Sequence, residues 1–339
     1  MRGGPILPVL VGCLALGALE ARASTLSVTP FLGVSAVFDD NILATSSQRV
    51  GDWAAGFSPG IVGDYRSTHF GAAVRYSVNG EVFPNEPSLN TPLARQTGSL
   101  GLSYDLNHRL SLQASGGYTQ SLYSGDILIS AVETGRRRTD GYSAQFGVMQ
   151  KMRMDTLSLN YGFSGVNARD LGSGQAQSLT LDWTHRLGQR TSFSLSGGPR
   201  YSDTDRRTTA TVSAGVHRQL GKGGLSLTYS NGYTLLPSFG TTGNAKTQSV
   251  GASLDLRAGR SFRMSVSPGY SESVALQTKI RVFHSAVGAA YEMARWLYLQ
   301  GSYNYTFQKM DFGDEFPRNI FSVGFTLTLP RKQFLAVLP

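Results

Sequence analysis

The chain has 339 residues, a formal charge of +9, a mean hydropathy of −0.14, 40 glycines, 15 tyrosines and a single cysteine. That hydropathy excludes a bundle of membrane helices, each of which needs about 20 consecutive apolar residues. One cysteine rules out a disulfide framework, and no paired Cys or His spacing suggests zinc.

Pro5 to Leu19 is the one long apolar run. It follows Arg2 and ends in Ala21-Arg22-Ala23, so residues 1–23 read as a secretory signal peptide. Cys13 falls inside it. Leu10-Val11-Gly12-Cys13 also fits a lipoprotein box, but the apolar stretch before Cys13 is short and continues to Leu19. An exported chain without cysteine after residue 23, rich in Gly and Tyr, points to the bacterial envelope.

From Leu26 onward short segments alternate apolar and polar residues, the period of an extended strand. One face carries sets such as Phe70/Ala72/Val74/Tyr76/Val78, Leu157/Leu159/Tyr161/Phe163, Leu179/Leu181/Trp183 and Leu225/Leu227/Tyr229. The opposite positions are mostly Ser, Thr, Asn, Gln and Gly. Tight, often basic connections (66–68, 107–109, 153–155, 188–190, 221–223, 258–260, 293–295) alternate with generally longer polar ones (39–52, 84–95, 124–141, 167–175, 203–206, 237–246, 272–278, 309–317). Short turns on one side and long loops on the other describe an all-β, closed antiparallel transmembrane barrel of about sixteen strands. A propeller would repeat a blade signature, and none recurs. Closure is required because every backbone amide in hydrocarbon needs an internal partner. The expected organisation is residues 1–23 signal, 24–329 barrel and 330–339 a periplasmic tail, Pro330 ending the last strand because it cannot donate to a ladder.

Sixteen strands enclose an aqueous lumen. Reading inward positions gives Arg75, Glu81, Asp182, Arg200, Asp255 and Arg263 as lumen-lining charges, with Gln300 and Asn304 among the neutral groups. Three cations and three anions nearly cancel, so strong ion selectivity is not expected. Ser124–Gly141 is the longest connection, and its Ile127-Leu128-Ile129 patch is a candidate for folding back as a constriction. Arg136, Arg137 and Arg138 form a basic run on that outside loop, suited to lipopolysaccharide phosphates or an anionic polymer. The remaining charge is spread over turns and loops, which gives no support for nucleic-acid binding.

Catalysis in such a barrel would need a His beside an acid or Ser near the outer rim. His69, His108, His185 and His217 fall near the tight turns and only His284 lies higher, so no catalytic residues and no cofactor are assigned. Asp39-Asp40-Asn41 offers oxygen ligands for a hard cation, but a strand-end turn explains the same residues, and no metal site is assigned.

Val37-Phe38-Asp39-Asp40-Asn41-Ile42 is followed by Phe57-Ser58-Pro59-Gly60-Ile61. An aromatic-x-Asp-Asn hairpin with a Ser-Pro-Gly strand resembles the outer-membrane barrels associated with exopolysaccharide and PEP-CTERM gene clusters, over residues 28–66 alone. Ser322-Val323-Gly324-Phe325-Thr326-Leu327-Thr328-Leu329 is similar to the signal read by the barrel-assembly machinery, in which Ser322, Gly324, Leu327 and Leu329 hold the defining positions. The resemblance implies a channel in the outer membrane of a Gram-negative bacterium that exports an extracellular polysaccharide. It also implies outer-membrane lipid, lipopolysaccharide, the assembly machinery, the polymer and periplasmic export components as partners. The residues alone fit a diffusion porin equally, or a non-conducting structural or adhesive barrel.

Overall fold

The computed structural model describes residues 24–44, 49–123, 136–169, 172–238, 241–275, 278–311, 315–329 and 332–336. The leader with Cys13, most of the Ser124–Gly141 connection and the two ends of the C-terminal tail lie outside the described residues. The strands are β1 (Ser24–Asp39), β2 (Asp52–Arg66), β3 (Phe70–Val82), β4 (Thr91–Asp105), β5 (Leu110–Tyr123), β6 (Arg136–Lys151), β7 (Asp155–Ala168) and β8 (Gly172–Arg186). They continue as β9 (Thr191–Ser202), β10 (Arg207–Leu220), β11 (Gly223–Ser238), β12 (Thr241–Ala258), β13 (Phe262–Ala275), β14 (Thr278–Ala294), β15 (Leu297–Met310), β16 (Glu315–Thr328) and the short β17 (Lys332–Ala336).

Each of the first sixteen strands pairs antiparallel with its chain neighbours, and β1 also pairs with β16, from Phe31↔Thr328 to Asp39↔Ile320. The wall is therefore a closed sixteen-strand barrel. Apolar residues on one face of the wall are exposed: Val34, Val74, Phe146, Leu181, Leu227, Phe283, Val323 and Phe325 are each 41–59% exposed. An apolar band of this extent wrapped around a closed wall is a lipid-facing surface. Aromatics of the apolar face donate to polar groups on the neighbouring strand: Tyr76 Oη to Gln96 (3.0 Å), Tyr161 Oη to Gln177 (3.0 Å), Tyr303 Oη to Asn319 (2.8 Å) and Trp183 Nε1 to Asp155 (2.9 Å). Rings on the apolar side with polar tips in hydrogen bonds are what an interfacial girdle requires.

Two boundaries differ from the sequence reading. Strands of 12 to 18 residues overshoot the roughly 9–11 needed to cross the bilayer. Much of the long-loop side is thus ladder continued into water; Pro237–Lys246, read as a loop, is the end of the β11–β12 hairpin, paired through Ser238↔Thr241. Outside the hydrocarbon a strand no longer needs an apolar face, so alternation fades before pairing does. β16 ends at Thr328, but pairing does not end with it. Lys332–Ala336 resumes alongside Ser24–Val28 of β1, so this part of the tail prolongs the wall.

Candidate functional site

The lumen is the candidate site. Its surface follows from strand parity, since residues flanking each lipid-facing side chain point to the other face. Hydroxyl and amide groups there join across strands: Ser230 to Ser249 (2.6 Å), Thr247 to Ser273 (2.9 Å), Ser302 to Ser322 (2.7 Å), and His217 Nδ1 to Ser226 (2.9 Å). Asn160 donates to Asp182 and to Ser158. These ladders leave a polar wall. A recess on the inner face of β2–β7 is lined by Asp64, Arg66, Ser103, Gln113, Gln145 and Asn160.

Arg75, Asp182, Asp255, Arg263, Gln300 and Asn304 all occupy inner-face positions in the register, in the stretch of wall from the turn end to mid-height. Arg257 stands directly opposite Arg263 on β12 and β13, and both are exposed. Sequence reasoning missed Arg257, together with Asp64, Arg66, Lys151, Arg186 and Glu292, which share the inner parity nearer the turns. The same period extended to the strand ends would have found them. Arg257, Arg66, Lys151 and Arg186 outnumber Asp64 and Glu292, so these additions tip the turn half of the inner face toward positive charge.

The loop end is different, because two apolar clusters stand inside it. In the first, Ile42, Ala54 and Phe83 are buried, with Val37, Leu43, Val50 and Leu89 packed against them. The described residues of the connection from β1 to β2 are thereby folded against the inner wall. Arg136 belongs here and not to an external patch. Its side chain is 8% exposed, pairs with Glu81 at 3.4 Å, donates to the Leu89 carbonyl at 3.0 Å, and lies 5.0 Å over the Phe83 ring. The bulge opposite Ser121 and Tyr123 shifts it out of the parity of Arg138, which is exposed and pairs with Asp140 at 3.3 Å. The side chain of Arg137 lies outside the described residues. In the second cluster Val166, Ala176, Leu235, Ala245, Ile280 and Val282 are buried, with Met310 against them. The loop-end portions of β11 and β12 reach β7 and β8, strands that are not their ladder partners. Arg200 donates to the Tyr233 carbonyl beneath this crossing.

The Asp39-Asp40-Asn41 motif acts at the seam. Asp39 accepts from both Arg318 Nε (3.1 Å) and Nη2 (2.6 Å), and from the Asn41 amide (2.9 Å). Asp40 accepts from the Asn319 amide and side chain, both at 2.7 Å, and from Arg49 at 2.8 Å. Both carboxylates are thus committed to protein donors across β1 and β16. On β2, Ser58 faces Gly33 of β1, Pro59 is exposed, and Gly60 lies under the ring of Phe31, where a Cβ would come within 2.2 Å of a ring carbon. On β16, Ser322 and Gly324 face inward while Leu327 and Leu329 are 40% and 62% exposed on the lipid side. Among the described residues no group of three or more His, Cys, Asp or Glu is arranged to hold a metal ion.

The architecture is found in solved structures. An anion-selective porin from Comamonas acidovorans superposes with a TM-score of 0.50 at 12% identity, covering 90% of this chain and 100% of that one. The outer membrane protein OpdK from Pseudomonas aeruginosa gives 0.52 at 12% identity, covering 89% and 99%. The fold is that of an outer-membrane porin. The chain matches no protein-family model and no curated protein sequence. With its lipid-facing band, this porin fold places the chain in the outer membrane of a Gram-negative cell.

Proposed function

We propose that the chain is a passive channel for small polar solutes across the outer membrane, with its tight turns in the periplasm and its loop end outside. The observation that carries this reading is the shape of the lumen. A wall of hydroxyl and amide groups offers weak, exchangeable hydrogen bonds along the turn half. The loop end is narrowed by the Ile42/Phe83 and Val282/Leu235 clusters. A section built that way suits single small molecules better than a polymer chain. The anion-selective Comamonas neighbour supports small-solute diffusion more than export. Polysaccharide export, which the resemblance over residues 28–66 implies, loses its main support once Asp39 and Asp40 are accounted for by the β1–β16 seam.

Lipid and lipopolysaccharide are the surroundings this reading requires, and the pattern at Ser322–Leu329 fits handling by the barrel-assembly machinery. Planar-bilayer recording and liposome swelling test the function together. The expected result is stable single-channel steps, with permeation of monosaccharides and amino acids and exclusion of polysaccharides. A barrel that inserts and never conducts would overturn it. Passage of polysaccharide alongside small solutes would restore export.

A further inference from the structure

Charge is distributed unevenly between the two ends of the barrel. Seven tight turns close β2–β3, β4–β5, β6–β7, β8–β9, β10–β11, β12–β13 and β14–β15. Six of them contain an arginine or lysine: Arg109, Arg153, Arg190, Lys222, Arg260 and Arg295. The seventh follows directly on Arg66 and contains His69. No residue between the paired strands at these turns is Asp or Glu, and Asp155, the first residue of β7 on the outward face, is occupied by Trp183 and His185. The six Arg and Lys side chains within the turns are exposed, and none forms an ion pair among the described residues; Arg66, which has the inner parity, is not counted with them. At the loop end Arg49, Arg136, Arg138, Lys279, Arg281, Lys309 and Arg318 each face a carboxylate, while Arg169, Arg206 and Arg207 form no ion pair among the described residues.

The turns that carry free cations also carry large exposed apolar side chains: Leu106, Met152, Met154, Leu187 and Trp296, at 40–63% exposure. A turn projecting into bulk water has no use for these. Apolar groups that reach the acyl boundary, beside cations at phosphate height, are the composition of a surface seated in an anionic headgroup layer. Because strand order follows the chain, the seven turns are spread around the wall and not gathered on one side. A lipid leaflet surrounds a barrel that way, whereas a compact acidic protein would meet one sector. We infer that the turn-end rim is a ring-shaped binding surface for anionic phospholipid headgroups of the adjoining leaflet. This depends on the barrel spanning a membrane and not on what passes through it.

The test uses the full chain folded in phosphatidylcholine vesicles containing a minor fraction of either brominated phosphatidylglycerol or brominated phosphatidylcholine. The chain has 3 tryptophans, and Trp53→Phe with Trp183→Phe leaves Trp296 as the only fluorophore at the rim. Quenching of Trp296 by brominated phosphatidylglycerol should exceed that by brominated phosphatidylcholine by about two- to fivefold. The excess should vanish in about 0.5 M salt, which screens exposed charges, and in the Lys222→Gln, Arg260→Gln, Arg295→Gln variant, whose folding is checked by heat-modifiable gel mobility. A companion protein retaining only Trp53, at the loop end, should show no excess. Equal quenching by the two lipids overturns the inference, as does an equal excess at Trp53 or an excess that survives both salt and neutralisation.

Discussion

Asp39 carries the most consequential local interaction in the chain. Its carboxylate and the Arg318 guanidinium are 9% and 4% exposed, and the two residues are 279 positions apart. Breaking a buried pair by removing one partner leaves the other charge desolvated and typically costs about 3–5 kcal/mol. Asp39→Ala should lower stability by that amount in urea titrations of the folded barrel, while Asp39→Leu with Arg318→Met should recover most of it. A double variant no better than the single one would show that the pair does more than balance its own burial. Sequence alone could assign Asp39 and Asp40 only to a turn or a cation, because their partners become neighbours only when the wall closes. Gly324 is the second such residue. A Cβ there would stand 2.3 Å from the Val34 carbonyl oxygen across the seam. Gly324→Leu should therefore abolish closure, seen as loss of the fast-migrating folded band on unheated gels, with Gly301→Ala, whose Cβ would meet only ordinary contact, as the tolerant control.

At the scale of the strand, alternation made almost the whole wall legible. The apolar face has one job along its length, and lipid enforces it at every second residue. Val323, 59% exposed on β16, and Ser302 on β15 test the two faces. Val323→Arg should cost roughly 2–4 kcal/mol in a folding titration, whereas Ser302→Arg should leave stability within about 1 kcal/mol and alter conductance. Equal penalties would mean that the two faces are not distinguished by solvent. What alternation could not show is where a strand stops, since pairing outlasts the lipid and continues in β11, β12 and β17 with no periodic demand on side chains. Arg136 was misplaced for a related reason: in the sequence it reads as part of an outside loop, whereas it begins β6, where a bulge near Tyr123 takes it out of the parity of Arg138.

The whole molecule is a barrel whose turn half is wet and whose loop end is partly filled. The constriction among the described residues is built by the β1–β2 connection and the β11–β12 hairpin, while the Ile127-Leu128-Ile129 patch lies outside the described residues. Small apolar residues such as Ala54, Ala176 and Ala245 gave no hint that their strands meet others inside a mouth. Ile42→Ser with Phe83→Ser should loosen the first cluster and raise single-channel conductance by roughly twofold, with a larger solute cut-off in swelling assays. Unchanged conductance would place the narrowest section elsewhere.

The β1–β16 pairing has one more consequence, for how the wall is made. Every other long ladder joins strands adjacent in the chain, so fifteen hairpin pairings need only local search, while one, from Asp39↔Ile320 to Phe31↔Thr328, joins the two ends of the wall. Non-local pairings are the slow ones. Until the last strand arrives, β1 waits as an unpaired edge, and the growing sheet is open on both sides to any other chain presenting a strand. Truncation within β16 should therefore give oligomers joined edge to edge and not a smaller pore.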